Sequence, residues 1–246
     1  MKTSVIIQAR MTSTRLPGKV LKTVLGRPLL ELMIERLRRM TTIDEIIVAT
    51  TIRETDDPVE TLAKENGVGC FRGSEEDVLE RVLQAAWSHH VDVIVETTGD
   101  CPLIDPVECD KVVARFRQGD CDYASNILDR TYPRGMDTQV FSTNTLEDVA
   151  RRTKDPVDHE HVSFFIYQHP ELYRLANVLA PEDCRRPDLR LTVDTEEDFL
   201  LVQKVFENFR TSRFSLSEII QFLDYHPEIV AINREVPQKE VLYGQG

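Results

Sequence analysis

No stretch of this 246-residue chain is apolar for anything near the roughly 20 residues that cross a bilayer. Lys2 is followed by a short apolar run and then by basic residues, which is not the pattern of a secretory signal. These two absences lead us to expect a cytoplasmic enzyme. Cysteine is scarce and odd in number: Cys70, Cys101, Cys109, Cys121 and Cys184, with no CxxC pair, so neither a disulfide framework nor a zinc site is expected. His159 and His161 stand two apart rather than at the four-residue spacing of HExxH, which also speaks against zinc. Neither GxxxxGK[ST] nor GxGxxG occurs, so the two familiar phosphate loops are missing. Positive charge is in deficit: 30 Lys and Arg face 42 Asp and Glu, a net charge of −12, which argues against a nucleic-acid polymer as partner. There is no low-complexity linker and no internal repeat.

What is present is a core-forming chain, 41% hydrophobic, whose first half alternates strand and helix signals. Residues 3–9 read as a buried strand. Leu30, Met33, Ile34, Leu37 and Met40 mark one helix face. Glu45–Thr50 reads as a strand, Pro58 to Asn66-Gly67 as a helix and Val68–Phe71 as a short strand. A helix is expected from Glu75 to about His89, a strand over Val91–Thr97 and a helix from Pro106 to about Gln118. Such repeats imply an α/β fold with a mostly parallel sheet, in which ligands sit beyond the carboxyl ends of the strands. The second half is less regular. Asp122–Asn126, Thr138–Phe141, Leu172–Leu179 and Leu189–Val193 are strand candidates. Helices are expected over Asn144–Arg152, Asp158–Gln168, Glu196–Phe209 and Ser215–Leu223, the last with a Ser215/Glu218 capping box. One domain over 1–246 with an inserted arm near 125–185 fits this pattern, and the polar tail after Pro237 is expected to be mobile.

The strongest signal is the loop from Gln8 to Lys19, which follows the first strand and carries Arg10, Arg15 and Lys19 among small residues. Arg forks and a Lys point charge suit polyphosphate oxygens; a solvated basic turn is the plainer alternative. Asp100, in Thr98-Gly99-Asp100-Cys101-Pro102, and Asp194, after Leu191-Thr192-Val193, both close apolar runs. Each is either a carboxylate for Mg²⁺, which takes one or two such ligands plus phosphates, or a cap for the next turn or helix. Asp105 with Pro106 reads as an N-cap. Asp198 and its glutamates read as charges complementing a helix dipole. Gly73 and Ser74 either contact a base or ribose or cap the next helix.

These segments together resemble the cytidylyltransferases that activate acidic sugars: IIQARMTSTRLPGKVL, FRGSEEDVLERV, TGDCPLIDP, RGMDTQVF, DHEHVSFFIYQHPELY and LRLTVDTEEDF occur in the family's order over nearly the whole chain. The nearest group is the spore coat polysaccharide biosynthesis protein F group, with the CMP-Kdo and CMP-acylneuraminate synthetases as wider relatives. The resemblance implies a Rossmann-like nucleotidyltransferase fold and transfer of a cytidylyl group from CTP to an acidic sugar. It implies that Gln8, Ala9, Arg10, Arg15 and Lys19 bind the nucleotide, Arg15 and Lys19 as catalytic groups. Gly73, Ser74 and Asp77 would lie by base and ribose, Asp100 and Asp194 would hold Mg²⁺, and Asp137, Gln139 and His161 would face the sugar. It further implies a homodimer built through the arm. Cys101 and Gln139 stand where relatives often carry an acid. A sugar-nucleotide glycosyltransferase and a non-catalytic nucleotide-binding partner are the alternatives; Asp100-Cys101-Pro102 lacks the DxD pattern of the former.

Overall fold

The computed structural model describes residues 1–238. The tail after Pro237, apart from Gln238, lies outside the described residues. Strand β1 (Thr3–Gln8) leads through the loop and a two-strand ribbon, β2 (Thr23–Val24) and β3 (Arg27–Pro28), into α1 (Leu29–Leu37). Then follow β4 (Glu45–Thr51), α2 (Asp57–Glu65), β5 (Gly69–Gly73), α3 (Val78–Ser88), β6 (Val93–Thr98) and α4 (Pro106–Phe116). The second half runs β7 (Tyr123–Ser125), β8 (Gln139–Ser142), α5 (Thr143–Arg152), α6 (Pro156–His161), α7 (Phe164–Gln168), β9 (Leu175–Asn177), α8 (Glu196–Phe209), α9 (Leu216–Tyr225) and α10 (Pro227–Val230).

The main sheet has the order β5-β4-β1-β6-β8-β7-β9. Only β8 runs against its neighbours; the pairs among β1, β4, β5 and β6 and the pair β7–β9 are parallel. The α/β fold with a mixed, mostly parallel sheet is therefore as the sequence leads one to expect. Alternation along β1 explains the layering. Val5 and Ile7 pack with α1, α2 and α4 through Leu30, Ile34, Val59 and Val112, while Ile6 faces α3, α5 and α7 through Leu79, Val82, Leu146 and Ile166. A third apolar cluster joins α8 and α9 to Leu16, Leu103 and Leu189–Val193. Residues 125–185 contribute β8 and β9 directly to the main sheet, with α5–α7 over one face.

Three local expectations are corrected. Leu189–Val193 is not a strand: it makes one isolated bridge, Arg190 with Arg134, and its apolar side chains fill the third cluster instead of joining a ladder. The helix expected over Asp158–Gln168 is two short helices, because Val162 adopts φ 51° and breaks it. Helix α3 starts at Val78 rather than Glu75, since Asp77 caps it by accepting from Glu80 N at 2.9 Å. The caps at Asp105 and Ser215/Glu218 form as expected. All five cysteines are free, four of them buried. Among the described residues no helix is long and apolar enough to cross a membrane.

Candidate active site

The sheet changes direction of winding at β1 and β6: β4 and β5 lie to one side of β1, and β6 to the other. Such a switch point leaves a crevice beyond the strand ends. The two chains leave it close together, since Gly99 N donates to Gln8 O at 2.8 Å. A Cβ on residue 99 would stand 3.1 Å from Ala9 Cβ and 3.2 Å from Gln8 O, tighter than ordinary van der Waals contact, so glycine lets the two strand ends approach without displacing either. The loop after β1 is closed by Gly18 N on Met11 O at 2.8 Å, with Gly18 left-handed at φ 71°. That closure turns Lys19 back over the strand ends.

Lys19 is the centre of the crevice. Its Nζ lies 2.9 Å from Asp100 Oδ2 and 2.8 Å from Asp194 Oδ1. Burial alone would lower the lysine, but the two carboxylates outweigh it and hold Lys19 above its ordinary value. Asp100 shows the converse: burial would raise it, yet the Lys19 ammonium and hydrogen bonds from Thr98, Lys19 and Cys101 hold it below the usual range. Arg15 Nη2 reaches Asp194 Oδ2 at 2.9 Å from the exposed side, and Arg190 Nη2 reaches the same oxygen at 2.7 Å from the buried side. Arg190 also grips Asp198, whose carboxylate caps Asp194 N and Thr195 N and accepts from Asn233. Asp198 is therefore more than a dipole charge: it and Arg190 fix the turn that presents Asp194.

The crevice, about 310 Å³, is lined by Gln8, Ala9, Arg10, Arg15, Lys19, Arg81, Asp100, His161 and Asp194 among others. Arg10 lies at its far side, 3.8 Å from Glu75 Oε1. Gly73, Ser74 and Asp77 do not line it; Gly73 ends β5 and the other two lie in the turn before α3, where Ser74 O accepts from Arg81 and Asp77 Oδ2 pairs with His159 Nδ1 at 2.9 Å. A second cleft of about 470 Å³ adjoins the first and shares Gln8, Thr98, Glu160 and His161 with it. Both volumes are of the order of small-molecule sites, roughly 300–1,000 Å³. In the second cleft Arg130 makes a two-pronged ion pair with Asp137, at 2.7 and 2.8 Å. Gln139 Oε1 accepts from Tyr123 OH at 2.6 Å and Ser163 Oγ at 2.8 Å. Thus Asp137, Gln139 and His161 come together in one cleft, and Lys19, Asp100 and Asp194 in the other.

Four residues escape the sequence reading. Arg81 sits on the buried face of α3, 2% exposed, and lines the crevice; burial, then repulsion from Arg10, pushes it down to about 10. Its signal is a charge amid Val78, Leu79, Val82 and Leu83. Glu96, inside the apolar run of β6, gives the same kind of signal, and burial pushes its carboxyl up to about 7. Arg130 and Arg190 give none, being arginines in irregular chain. Among the described residues no group of three or more His, Cys, Asp or Glu is arranged to hold a metal ion. A cation here would rest on the pair Asp100 and Asp194 with help from a ligand.

Comparison with known proteins matches the chain to a family. The chain is 38% identical over 238 residues, 94% of itself and 97% of the relative, to the spore coat polysaccharide biosynthesis protein SpsF of Bacillus subtilis. It is 29% identical over 190 residues, 70% of itself and 74% of the relative, to the 3-deoxy-manno-octulosonate cytidylyltransferase of Geobacter metallireducens. Among solved structures, a cytidylyltransferase from Leptospira borgpetersenii superposes with a TM-score of 0.90 at 33% identity, covering 98% of this chain and 100% of that one. The sequence model of the cytidylyltransferases spans residues 4–245, and the chain belongs to that family of nucleotidyl-transferring enzymes.

Proposed function

We propose that this chain transfers the cytidylyl group of CTP to a sugar hydroxyl, releasing pyrophosphate and giving a CMP-sugar for surface polysaccharide assembly. The observation that carries this reading is Lys19 held between Asp100 and Asp194 at the strand ends, with Arg15 alongside. Lys19 and Arg15 bind the triphosphate and neutralise charge on the departing pyrophosphate; such chemistry is chiefly positioning and charge stabilisation. Gln8, Ala9 and Arg10 complete the nucleotide wall, and Gly73, Ser74 and Asp77 serve base and ribose from the adjoining turn. Asp100 and Asp194 offer hard oxygen donors, Asp100 held ionised, a set that fits Mg²⁺ when phosphate oxygens complete it. Mg²⁺ bound there supplies positive charge to the phosphate oxygens. The second cleft, with Asp137, Gln139 and His161, receives the sugar. The names of the Bacillus and Geobacter relatives support a sugar acceptor and a polysaccharide product.

The enzyme works as a homodimer through residues 125–185 and in the cytoplasm. Exposed Leu128, Leu172 and Leu179 in that segment support the first, and the free thiols support the second. The test is a pyrophosphate-release screen of nucleoside triphosphates against sugars. CTP-selective, Mg²⁺-dependent release is expected, falling by at least ~10²-fold in Lys19→Ala and Asp100→Ala with the circular dichroism unchanged. Full turnover by either variant sinks the assignment. CTP binding in calorimetry with no release over the whole panel sinks the reaction.

A further inference from the structure

The second cleft contains an acid with half its carboxylate unused. Glu96 lines the cleft from β6 and is 3% exposed. Its Oε1 accepts from Gln8 Nε2 at 2.8 Å, and its Oε2 is buried with no hydrogen-bonding partner. Among the described residues, no other side chain lining this cleft has a buried polar atom left so. The nearby donors are committed elsewhere. Tyr123 OH and Ser163 Oγ both donate to Gln139 Oε1; Ser163 also reaches the Glu96 carboxyl and tempers its upward push, but its single proton is shared with Gln139 and does not satisfy both acceptors. Gln139 is the residue directly opposite Glu96 in the β6–β8 register, so the two side chains share one face of the sheet. The guanidinium of Arg130 has both its prongs on Asp137, so its charge is already matched.

A buried acceptor without a partner is costly and rare. Nothing in the packing of β6 asks for it, since Val93, Ile94 and Val95 before it are apolar and fully packed. The residue makes sense when the missing partner arrives with a ligand. A sugar is mostly a set of O–H donors, and an amino sugar adds N–H donors. Either fits Oε2 by a charge-assisted hydrogen bond. At pH 8, where Glu96 is ionised, a carboxylate brought to the same place sets acceptor against acceptor, with Arg130 already paired, and is disfavoured.

We propose that Glu96 is the specificity residue of the acceptor site: its Oε2 receives an O–H or N–H donor of the sugar, and the cleft rejects a sugar presenting a carboxylate at that position. This rests on the cytidylyltransferase reading of the second cleft given above. It narrows the acidic acceptor that the family resemblance implies, since any acid group must lie away from Glu96.

The experiment uses the full chain with CTP and Mg²⁺ at pH 8, above the Glu96 value of about 7, and follows pyrophosphate release. The acceptors are sugars matched except at one carbon, which carries hydroxyl, amine, hydrogen or carboxylate. For wild type, kcat/KM is expected to be roughly 10- to 100-fold higher for the hydroxyl or amine sugar than for the deoxy or carboxylate one. Glu96→Gln keeps the shape and an oxygen for Gln8, so the fold and the KM for CTP stay within twofold while the acceptor KM rises about tenfold, more for the amine. An unchanged acceptor KM in Glu96→Gln, an equal rise in the KM for CTP, or a wild-type preference for the carboxylate sugar overturns the inference and leaves the cytidylyltransferase reading standing. No release by wild type with any acceptor overturns that reading and this inference with it.

Discussion

Replacing Lys19 by methionine leaves two carboxylates facing each other with no cation between. Lys19 Nζ is 2.9 Å from one carboxylate oxygen and 2.8 Å from the other, so these oxygens are at most ~5.7 Å apart. Two bare unit charges at that distance repel by about 3 kcal/mol at an effective dielectric of about 20, which is the upper bound here because Arg15 and Arg190 stay on Asp194. None of the three side chains is more than 22% exposed, so solvent screening removes little of this. For a chain of this length, 3 kcal/mol is roughly 6–12 °C in Tm. The expected result is that Lys19→Met melts lower than wild type in chelated buffer, by up to that much. Because the repulsion also rewards a divalent ion, the variant should bind Mn²⁺, followed by electron paramagnetic resonance, more tightly than nucleotide-free wild type, by up to about 100-fold. Saturating Mn²⁺ should then restore most of the lost Tm. Turnover should nevertheless be lost, since the triphosphate has lost its lysine. If Lys19→Met melts with wild type in the absence of cation and gains no affinity for Mn²⁺, then Asp100 and Asp194 are not held together by Lys19, and the charge argument for this crevice is wrong.

Arg190→Met should destabilise the fold by about 3–5 kcal/mol in urea titration, because it strands the fully buried Asp198; a loss below 1 kcal/mol would show that Asn233 and the backbone suffice. The Glu96 carboxyl, held near 7 in the fold against 4.5 when free, binds an extra proton in the native state between those values. Stability of the ligand-free protein should therefore be fully supported below about pH 4.5 and fall, by the order of 3 kcal/mol, as pH rises through about 7, and Glu96→Gln should remove that component of the slope. Parallel urea midpoints for wild type and variant at pH 5 and pH 8 would refute it. Ser215→Ala breaks the capping box of α9 and should cost about 1 kcal/mol, read from the same titrations, with pyrophosphate release unchanged. Gly135→Ala should cost more than that cap, since its Cβ would lie 2.7 Å from the Leu191 carbonyl carbon at φ 97°; expression at wild-type stability would count against the close approach.

The first half of the fold was legible because its strands are continuous apolar runs and its helices have one apolar face with Pro or Asp at the start. Val5–Ile7 and Ile46–Ala49 read as buried strands, and Asp105-Pro106 reads as the start of a helix. Leu189–Val193 has the same apolar texture and was misread, since texture reports burial and not whether a neighbouring strand is there to share hydrogen bonds. Val162 has no local mark of its left-handed turn; the break is imposed by packing, with Val162 in the core and Ser163 on Gln139. The strand-end charges Lys19, Asp100 and Asp194 could be singled out one by one. Their convergence could not, because the partners are 81 and 175 residues apart along the chain. Arg190 and Arg130 were invisible for a related reason: an arginine in irregular chain looks solvated until its carboxylate is found.

Gly99 has a consequence for how this machinery can vary. Its backbone is pressed against Gln8 and Ala9, so the loop bearing Lys19 and the loop bearing Asp100 grow from what is in effect one stem. Neither strand end can shift or tilt at this stem without carrying the other along. The lysine and the aspartate thus stand on a single structural part, and moving the chemistry onto another sheet means transplanting both strand ends together with the glycine between them.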